Sequence, residues 1–193
     1  MTFISRSNIN LENAASSLYY ASIIGLTPLV DHLINRGADL NAMGGKYGTA
    51  LQAASHEDHL EICQLLLEQR ADVNVTGGEY GTALQAASFR GRLKICQLLL
   101  EQGADVNATG GEYGTALQAA SYQGRLGVCQ LLLEQDADVN AKGGEYGTAL
   151  NAARAHLPEY WPPKREAAVQ AMVKLLKEHG AVETVELTRS DES

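Results

Sequence analysis

The segment at residues 77–109, GGEYGTALQAASFRGRLKICQLLLEQGADVNAT, decides the fold, because near-copies of it recur along the chain. The copies begin at Gly44, Gly77, Gly110 and Gly143, at a constant step of 33 residues. A more divergent copy, about residues 11–43, precedes them and keeps the ending RGADLNA. A repeat of this length predicts a stack of similar small units rather than one globular core.

Each copy reads as a turn, a helix, a tight turn and a second helix. Gly77 and Gly78 indicate a sharp turn, and Thr82 with Gln85 three residues later is the pattern of a helix-starting capping box. The pair recurs as Thr49 with Gln52 and as Thr115 with Gln118. In the last copy Asn151 replaces the glutamine, so we expect a weaker cap there.

The second helix of each copy is too apolar to stand alone. In the copy at residues 77–109 it contains Leu93, Ile95, Cys96 and three consecutive leucines. Such a wide apolar face needs neighbours on more than one side, so stability must be shared between stacked copies. The helix should end at Gly103 in a left-handed conformation, which predicts backbone strain at Arg70 and Asp136, the residues at the same place in two other copies.

The period, the paired helices and the ending GADVNA resemble ankyrin repeats. The usual helix start of that family, TPLH, appears here as TALQ. The GGxYGTALQAAS form is similar to ankyrin arrays of fungal proteins, often behind the nucleotide-binding domain of NOD-like receptors. The resemblance implies an all-α solenoid of stacked helix-turn-helix units with protruding turns, whose concave face, formed by turn tips and first helices, binds partner proteins.

The resemblance divides the chain into three parts. Residues 1–10 are expected to be a flexible N-terminal segment, and residues 183–193 a polar tail. Between them we expect five repeats, at about residues 11–43, 44–76, 77–109, 110–142 and 143–182. The last repeat has an 11-residue insertion, residues 156–166, and its final helix is expected at about residues 166–179. Tyr19 and Tyr20 are expected to cover the N-terminal end of the stack.

Composition argues against several classes of function. The net charge of −8 and the pI near 5.1 disfavour sequence-independent binding to nucleic acid or to an anionic membrane surface. No apolar run approaches the roughly 20 residues of a membrane span, and the N-terminus lacks a signal-peptide core, so we expect a cytoplasmic protein. Cys63, Cys96 and Cys129 recur at one position of the second helix, which predicts reduced core thiols. We expect no metal and no cofactor.

The first candidate binding set lies at the turn tips: Lys46, Glu79, Glu112 and Glu145, followed by Tyr47, Tyr80, Tyr113 and Tyr146. An acidic row beside an aromatic row would suit a basic or amphipathic partner. The alternative is that the tyrosines only pack over adjacent turns. Identical residues in every copy favour the structural interpretation for the tyrosines and leave the glutamates open.

The second candidate set ends the first helix and opens the turn that follows, and it varies between copies. It contains His56, Glu57, Phe89, Arg90, Tyr122, Gln123 and His156, with Arg92 and Arg125 nearby and Tyr160 and Trp161 in the insertion. Exposed aromatic rings beside arginines are typical of binding hot spots. The alternative is that Phe89 and Tyr122 pack within their own helix pairs.

These features favour a non-catalytic, monomeric scaffold that binds a partner protein or peptide on its concave face. The chain has no phosphate-binding loop and no hydrolase, metalloprotease or paired-cysteine motif, so we expect no enzymatic activity. Two alternatives stay open. One is a small-molecule-binding or unusual enzymatic protein with a pocket in the concave groove near the insertion. The other is a purely structural role, as an array spacer or as a self-associating unit that would dimerise through its ends.

Overall fold

The structure is a computed structural model that describes residues 11–155 and 163–183, with side chains at residues 17–155 and 166–183. Within these ranges the chain forms helices and no named strand, which confirms the predicted all-α class. The helices are α1 Leu11–Ile23, α2 Thr27–Asn35, α3 Ala50–Glu57, α4 Leu60–Glu68, α5 Ala83–Arg90, α6 Leu93–Glu101, α7 Ala116–Tyr122, α8 Leu126–Glu134, α9 Ala149–Ala155 and α10 Pro163–Glu178.

The helices form two layers. The odd-numbered helices pack on one another in chain order, and the even-numbered helices form a second layer against them. Successive odd-numbered helices contact each other more closely than successive even-numbered helices, because the former are rich in alanine and serine and the latter in leucine. The stack therefore curves with the odd-numbered helices on the inside. We call these the inner helices, and their solvent-facing side the concave face.

The main core lies between the two layers and runs through all five copies. Each inner helix buries a leucine at the same position: Leu18, Leu51, Leu84, Leu117 and Leu150. The even-numbered helices, which we call the outer helices, contribute buried apolar residues such as Ile95 and Leu99 to the same core. Cys63, Cys96 and Cys129 are free and fully buried, and burial raises the pKa of each thiol to about 12. The predicted place of these cysteines in the core is confirmed.

The capping glutamines also join neighbouring copies. Gln85 closes the predicted capping box with Thr82, as Gln52 and Gln118 do with their threonines. Its side-chain amide nitrogen in addition donates to the carbonyls of Gly110 at 3.2 Å and Ala108 at 3.3 Å. Gly110 begins the turn of the next copy and Ala108 lies just before it, so one buried side chain starts a helix and fixes the following turn. The sequence predicted only the first role.

The first and last copies each differ from the sequence-based prediction in one feature. Tyr19 is 2% exposed and its hydroxyl accepts a hydrogen bond from the Tyr47 backbone nitrogen at 3.1 Å, whereas Tyr20 is 58% exposed. Tyr19 therefore lies beneath the first glycine turn instead of covering the end of the stack. The last helix begins at Pro163, not near residue 166, because proline is tolerated at the first helical position, whose N–H has no partner within the helix.

Candidate functional site

The tips of the glycine turns form a continuous row along one edge of the concave face. The backbone nitrogen of Glu79 donates to the carbonyl of Lys46 at 2.9 Å. Glu112 donates in the same way to Glu79, and Glu145 to Glu112, also at 2.9 Å. The side chains of Lys46 and Glu79 form an ion pair at 2.8 Å, while Glu112 and Glu145 are exposed. We call these four residues the turn-tip row.

Seven rings interleave beside this row in a single file, which we call the ring ladder. In order they are Tyr47, His56, Tyr80, Phe89, Tyr113, Tyr122 and Tyr146. Successive ring centroids are 4.2, 5.0, 4.9, 4.7, 5.1 and 4.7 Å apart. Tyr80 and Tyr113 thus each lie between two rings from the ends of inner helices, at distances typical of favourable aromatic pairs. Tyr47 and Tyr146 end the file, and each contacts one such ring.

The ring ladder covers the inner helices on their concave side. Tyr80 and Tyr113 are 6% and 8% exposed and pack with Ala86 and Ala119, which are fully buried. This layer explains why α5 has no exposed residue from Ala83 to Ser88. Burial also raises the pKa values of the Tyr80 and Tyr113 hydroxyls well above the usual range, so both stay protonated at neutral pH.

The ring ladder therefore combines the turn-tip tyrosines of the first candidate set with His56, Phe89 and Tyr122 of the second. The geometry supports the structural interpretation of the turn-tip tyrosines. The expectation that Phe89 and Tyr122 are exposed is wrong, since both are half-buried between tyrosine rings. The missed signal is a constant spacing, because a ring stands nine residues after each turn-tip tyrosine in copies two, three and four.

His56 is the only ionisable nitrogen ring among the described members of the ladder. It is 6% exposed and stacks on Tyr47, and its Nδ1 lies 2.9 Å from the Glu57 carboxylate. Burial lowers the pKa of His56, and the charges of Arg90 and Arg92 act in the same direction, while Glu57 opposes them. The imidazole is therefore neutral at pH 7. Because His56 is buried in the ring ladder, it does not form an acid–base pair with His59. The Nε2 of His59 instead contacts the Ile23 carbonyl at 2.9 Å.

Three arginines lie at the other edge of the ring ladder, where the inner helices end; we call Arg90, Arg92 and Arg125 the arginine edge. Arg92 pairs with Asp58 at 3.1 Å, and its Nε is buried without a hydrogen-bond partner. Arg125 donates from Nε to the Phe89 carbonyl at 3.2 Å. Arg90 is exposed. Burial lowers the pKa of Arg125, and the nearby charges of Arg90 and Arg92 lower it further.

Of the remaining predicted site residues, the structure describes Gln123. Gln123 is half-buried at the end of α7. His156, Tyr160 and Trp161 lie outside the described residues. A cleft of about 340 Å³ opens between copies one and two, lined by Gly25, Thr27 and residues 58–62. It contains neither His56 nor Tyr122, so it gives the small-molecule alternative no support at the predicted place. Within the described ranges, no group of His, Cys, Asp or Glu is arranged to hold a metal ion.

Stacked helix pairs with protruding glycine turns define a repeat solenoid. The chain belongs to the ankyrin repeat family: the family model "Ankyrin repeats (3 copies)" matches residues 2–77, 18–110 and 76–143. Azaphilone pigments biosynthesis cluster protein L of Monascus ruber is 45% identical over 65 residues, 30% of this chain. The chain spans only 14% of that relative's length. None of the described helices is long and apolar enough to cross a membrane.

Proposed function

We propose that this ankyrin repeat protein is a non-catalytic scaffold that binds a partner protein or peptide on its concave face. Ankyrin repeats in general mediate protein interactions, and this gives the class of function. The similarity to arrays of fungal NOD-like receptor proteins stays a prediction, as do a monomeric state and a cytoplasmic location.

One observation supports the concave face above other surfaces. The ring ladder forms an unbroken aromatic file through copies two to five, and variable polar side chains border it at the ends of the inner helices. Glu57 and Gln123 are half-buried there and Arg90 is exposed. Aromatic area with adjacent arginine is the composition that dominates binding energy in protein interfaces.

The two parts of this face have different roles in the proposal. The rings hold the stack together, so truncating Phe89 or Tyr122 would damage folding as well as binding. The bordering residues Glu57, Arg90 and Gln123 differ between copies and contribute little to the core, so they set which partner is bound. His156, Tyr160 and Trp161 of the insertion stay predicted extensions of the same surface.

The test compares wild-type protein with an Arg90→Glu/Gln123→Glu variant as bait in extract of the native cells. Lys94→Glu is the matched control, because Lys94 is also exposed in the third copy but lies on the outer helix α6. All baits must first show the same thermal unfolding. Proteins retained by the wild type and the control are identified by mass spectrometry, purified, and titrated calorimetrically.

We expect at least one purified protein to bind the wild type and the control with equal affinity and the concave-face variant at least about tenfold more weakly, as for truncated interface hot spots. Equal binding by all three baits would place the interface elsewhere and contradict the proposal. Turnover of any bound molecule would contradict the non-catalytic part.

A further inference from the structure

We propose that the arginine edge binds acidic side chains of a peptide segment that lies along the ring ladder of copies three and four. This inference rests on the proposed function and adds the chemistry of the partner. It does not follow from the overall charge, because the chain has a net charge of −8.

The first argument is the distribution of charge along the ladder. At equivalent positions, copy two has Glu57, Asp58 and His59, copy three has Arg90, Gly91 and Arg92, and copy four has Gln123, Gly124 and Arg125. The sign thus changes from negative to positive within one step of the stack. A partner with acidic residues is attracted to copies three and four and is repelled from copy two, which gives it one position along the file.

The second argument is that positive charge at this edge is poorly compensated. Among the described residues, Arg92 is the one member of the arginine edge in an ion pair, with the exposed carboxylate of Asp58. Arg125 uses Nε on a backbone carbonyl, which leaves the outer nitrogens of its guanidinium to other acceptors. Arg90 is exposed, and its charge adds to the effect of burial in lowering the pKa of Arg125. Like charges at one edge favour a bound anion.

The third argument concerns the geometry of recognition. An arginine presents a planar fork of donors that matches a carboxylate with two parallel hydrogen bonds. Arg125 donates to the Phe89 backbone carbonyl, and the half-buried rings of Phe89 and Tyr122 have centroids 6.3 Å apart. Apolar side chains next to the acidic ones therefore have an aromatic surface to contact. The turn-tip row borders the other side of the ladder with Glu112 and Glu145 exposed. A peptide with acidic residues facing the arginine edge therefore points its other face, neutral or basic, towards the turn tips.

The experiment selects from a phage-displayed library of random peptides about twelve residues long on immobilised wild-type protein. One enriched sequence is then made with a fluorescein label, together with its amide form, in which every Asp is Asn and every Glu is Gln. Both are titrated by fluorescence anisotropy against wild type, Arg90→Glu, Arg90→Gln and Lys94→Glu. Arg90 is chosen because it is exposed, whereas Arg125 also contacts the Phe89 backbone. A single-stranded thymidine oligonucleotide serves as competitor.

We expect enrichment of Asp and Glu, and at least about tenfold weaker binding for Arg90→Glu and for the amide peptide, with a smaller loss for Arg90→Gln and none for Lys94→Glu. Raising the salt concentration should weaken the acidic peptide more than the amide form. Enrichment of neutral or basic peptides that bind Arg90→Glu as tightly as the wild type would overturn the inference but leave the scaffold function intact. Absence of any enriched peptide would overturn the inference too. The scaffold function would then still be decided by the capture experiment with wild-type and variant baits. Equal displacement by the oligonucleotide would also overturn the inference, because the arginine edge would then bind polyanions in general rather than an acidic peptide.

Discussion

Arg70 shows how one residue can set the stability of a copy. Its φ is 67°, in the left-handed region that glycine occupies at the equivalent Gly37 and Gly103, as predicted from sequence. We expect Arg70→Gly to raise the free energy of unfolding by about 0.5–1 kcal/mol, because the Cβ strain disappears while some unfolded-chain entropy is gained. The melting temperature should rise by about 1–4 °C.

The reverse change at Gly103 is the matched control. A Cβ built there meets no atom within 4 Å, so Gly103→Arg introduces backbone strain without a clash. Its melting temperature should fall by a similar amount. If both variants melt at the same temperature as the wild type, a non-glycine residue is not strained in the left-handed conformation at these helix ends, and our explanation is wrong. Asp58, with φ 74°, was not predicted from the sequence, although glycine occupies the equivalent positions 25, 91 and 124.

His56 makes the ring ladder sensitive to acid. Its folded-state pKa is lowered, chiefly by burial, so the unfolded chain takes up a proton at higher pH than the native protein does. Stability should therefore fall as the pH decreases below the unfolded value of about 6.5. Phe occupies the equivalent position 89, so His56→Phe preserves the ring and removes the proton site. Melting temperatures at pH 7.5 and 5.5 should differ less in His56→Phe than in the wild type; an equal difference would show that other groups dominate.

At the scale of elements, the ring ladder is a file of pairwise ring contacts. The rings of Phe89 and Tyr113 are 4.7 Å apart, so a double-mutant cycle to alanine should give a coupling energy of about 0.5–1.5 kcal/mol in urea unfolding. Tyr47 and Phe89 are separated by two rings of the file, and their changes should add within about 0.5 kcal/mol. Equal coupling in both cycles would indicate damage to the whole fold rather than broken ring contacts.

The same elements show what sequence reasoning could and could not reach. The period, the Thr–Gln capping boxes and the buried leucines are local patterns, so they predicted the helices and their stacking. The ring ladder depends on where a tyrosine at a turn tip directs its side chain, and this is decided by the adjacent copies. Gln85 was fully explained by its cap, so nothing in the sequence suggested that its amide nitrogen also holds the next turn. The partner depends on exposed residues that no core pattern constrains.

At the scale of the whole molecule, the copies are joined by repeated side-chain links as well as by the core. The Asn107 side chain accepts from the Asp138 backbone nitrogen at 2.7 Å and donates to the Asp136 carbonyl at 3.2 Å. Asn140 makes the corresponding bonds to Val182 at 2.9 Å and Gly180 at 3.0 Å. Asn107 thus links copies three and four, and Asn140 holds the last helix. In a stack stabilised by contacts between nearest neighbours, an equal loss of free energy at Asn107 and at Asn140 has different consequences for local unfolding.

Hydrogen exchange can separate these consequences. Asn140→Ala should speed amide exchange in α9 and α10 alone, because only the terminal copy is freed, and a loss of about 1 kcal/mol corresponds to a roughly fivefold change. Asn107→Ala removes the equivalent hydrogen bonds between copies three and four. Copies four and five should therefore open together, and amide exchange should become faster across α7 to α10. Faster exchange in α1 to α6 of Asn140→Ala would mean that the stack unfolds as a single cooperative unit. In that case the five copies could not differ in local stability, and a binding face spread over copies three and four would be no more rigid than the ends.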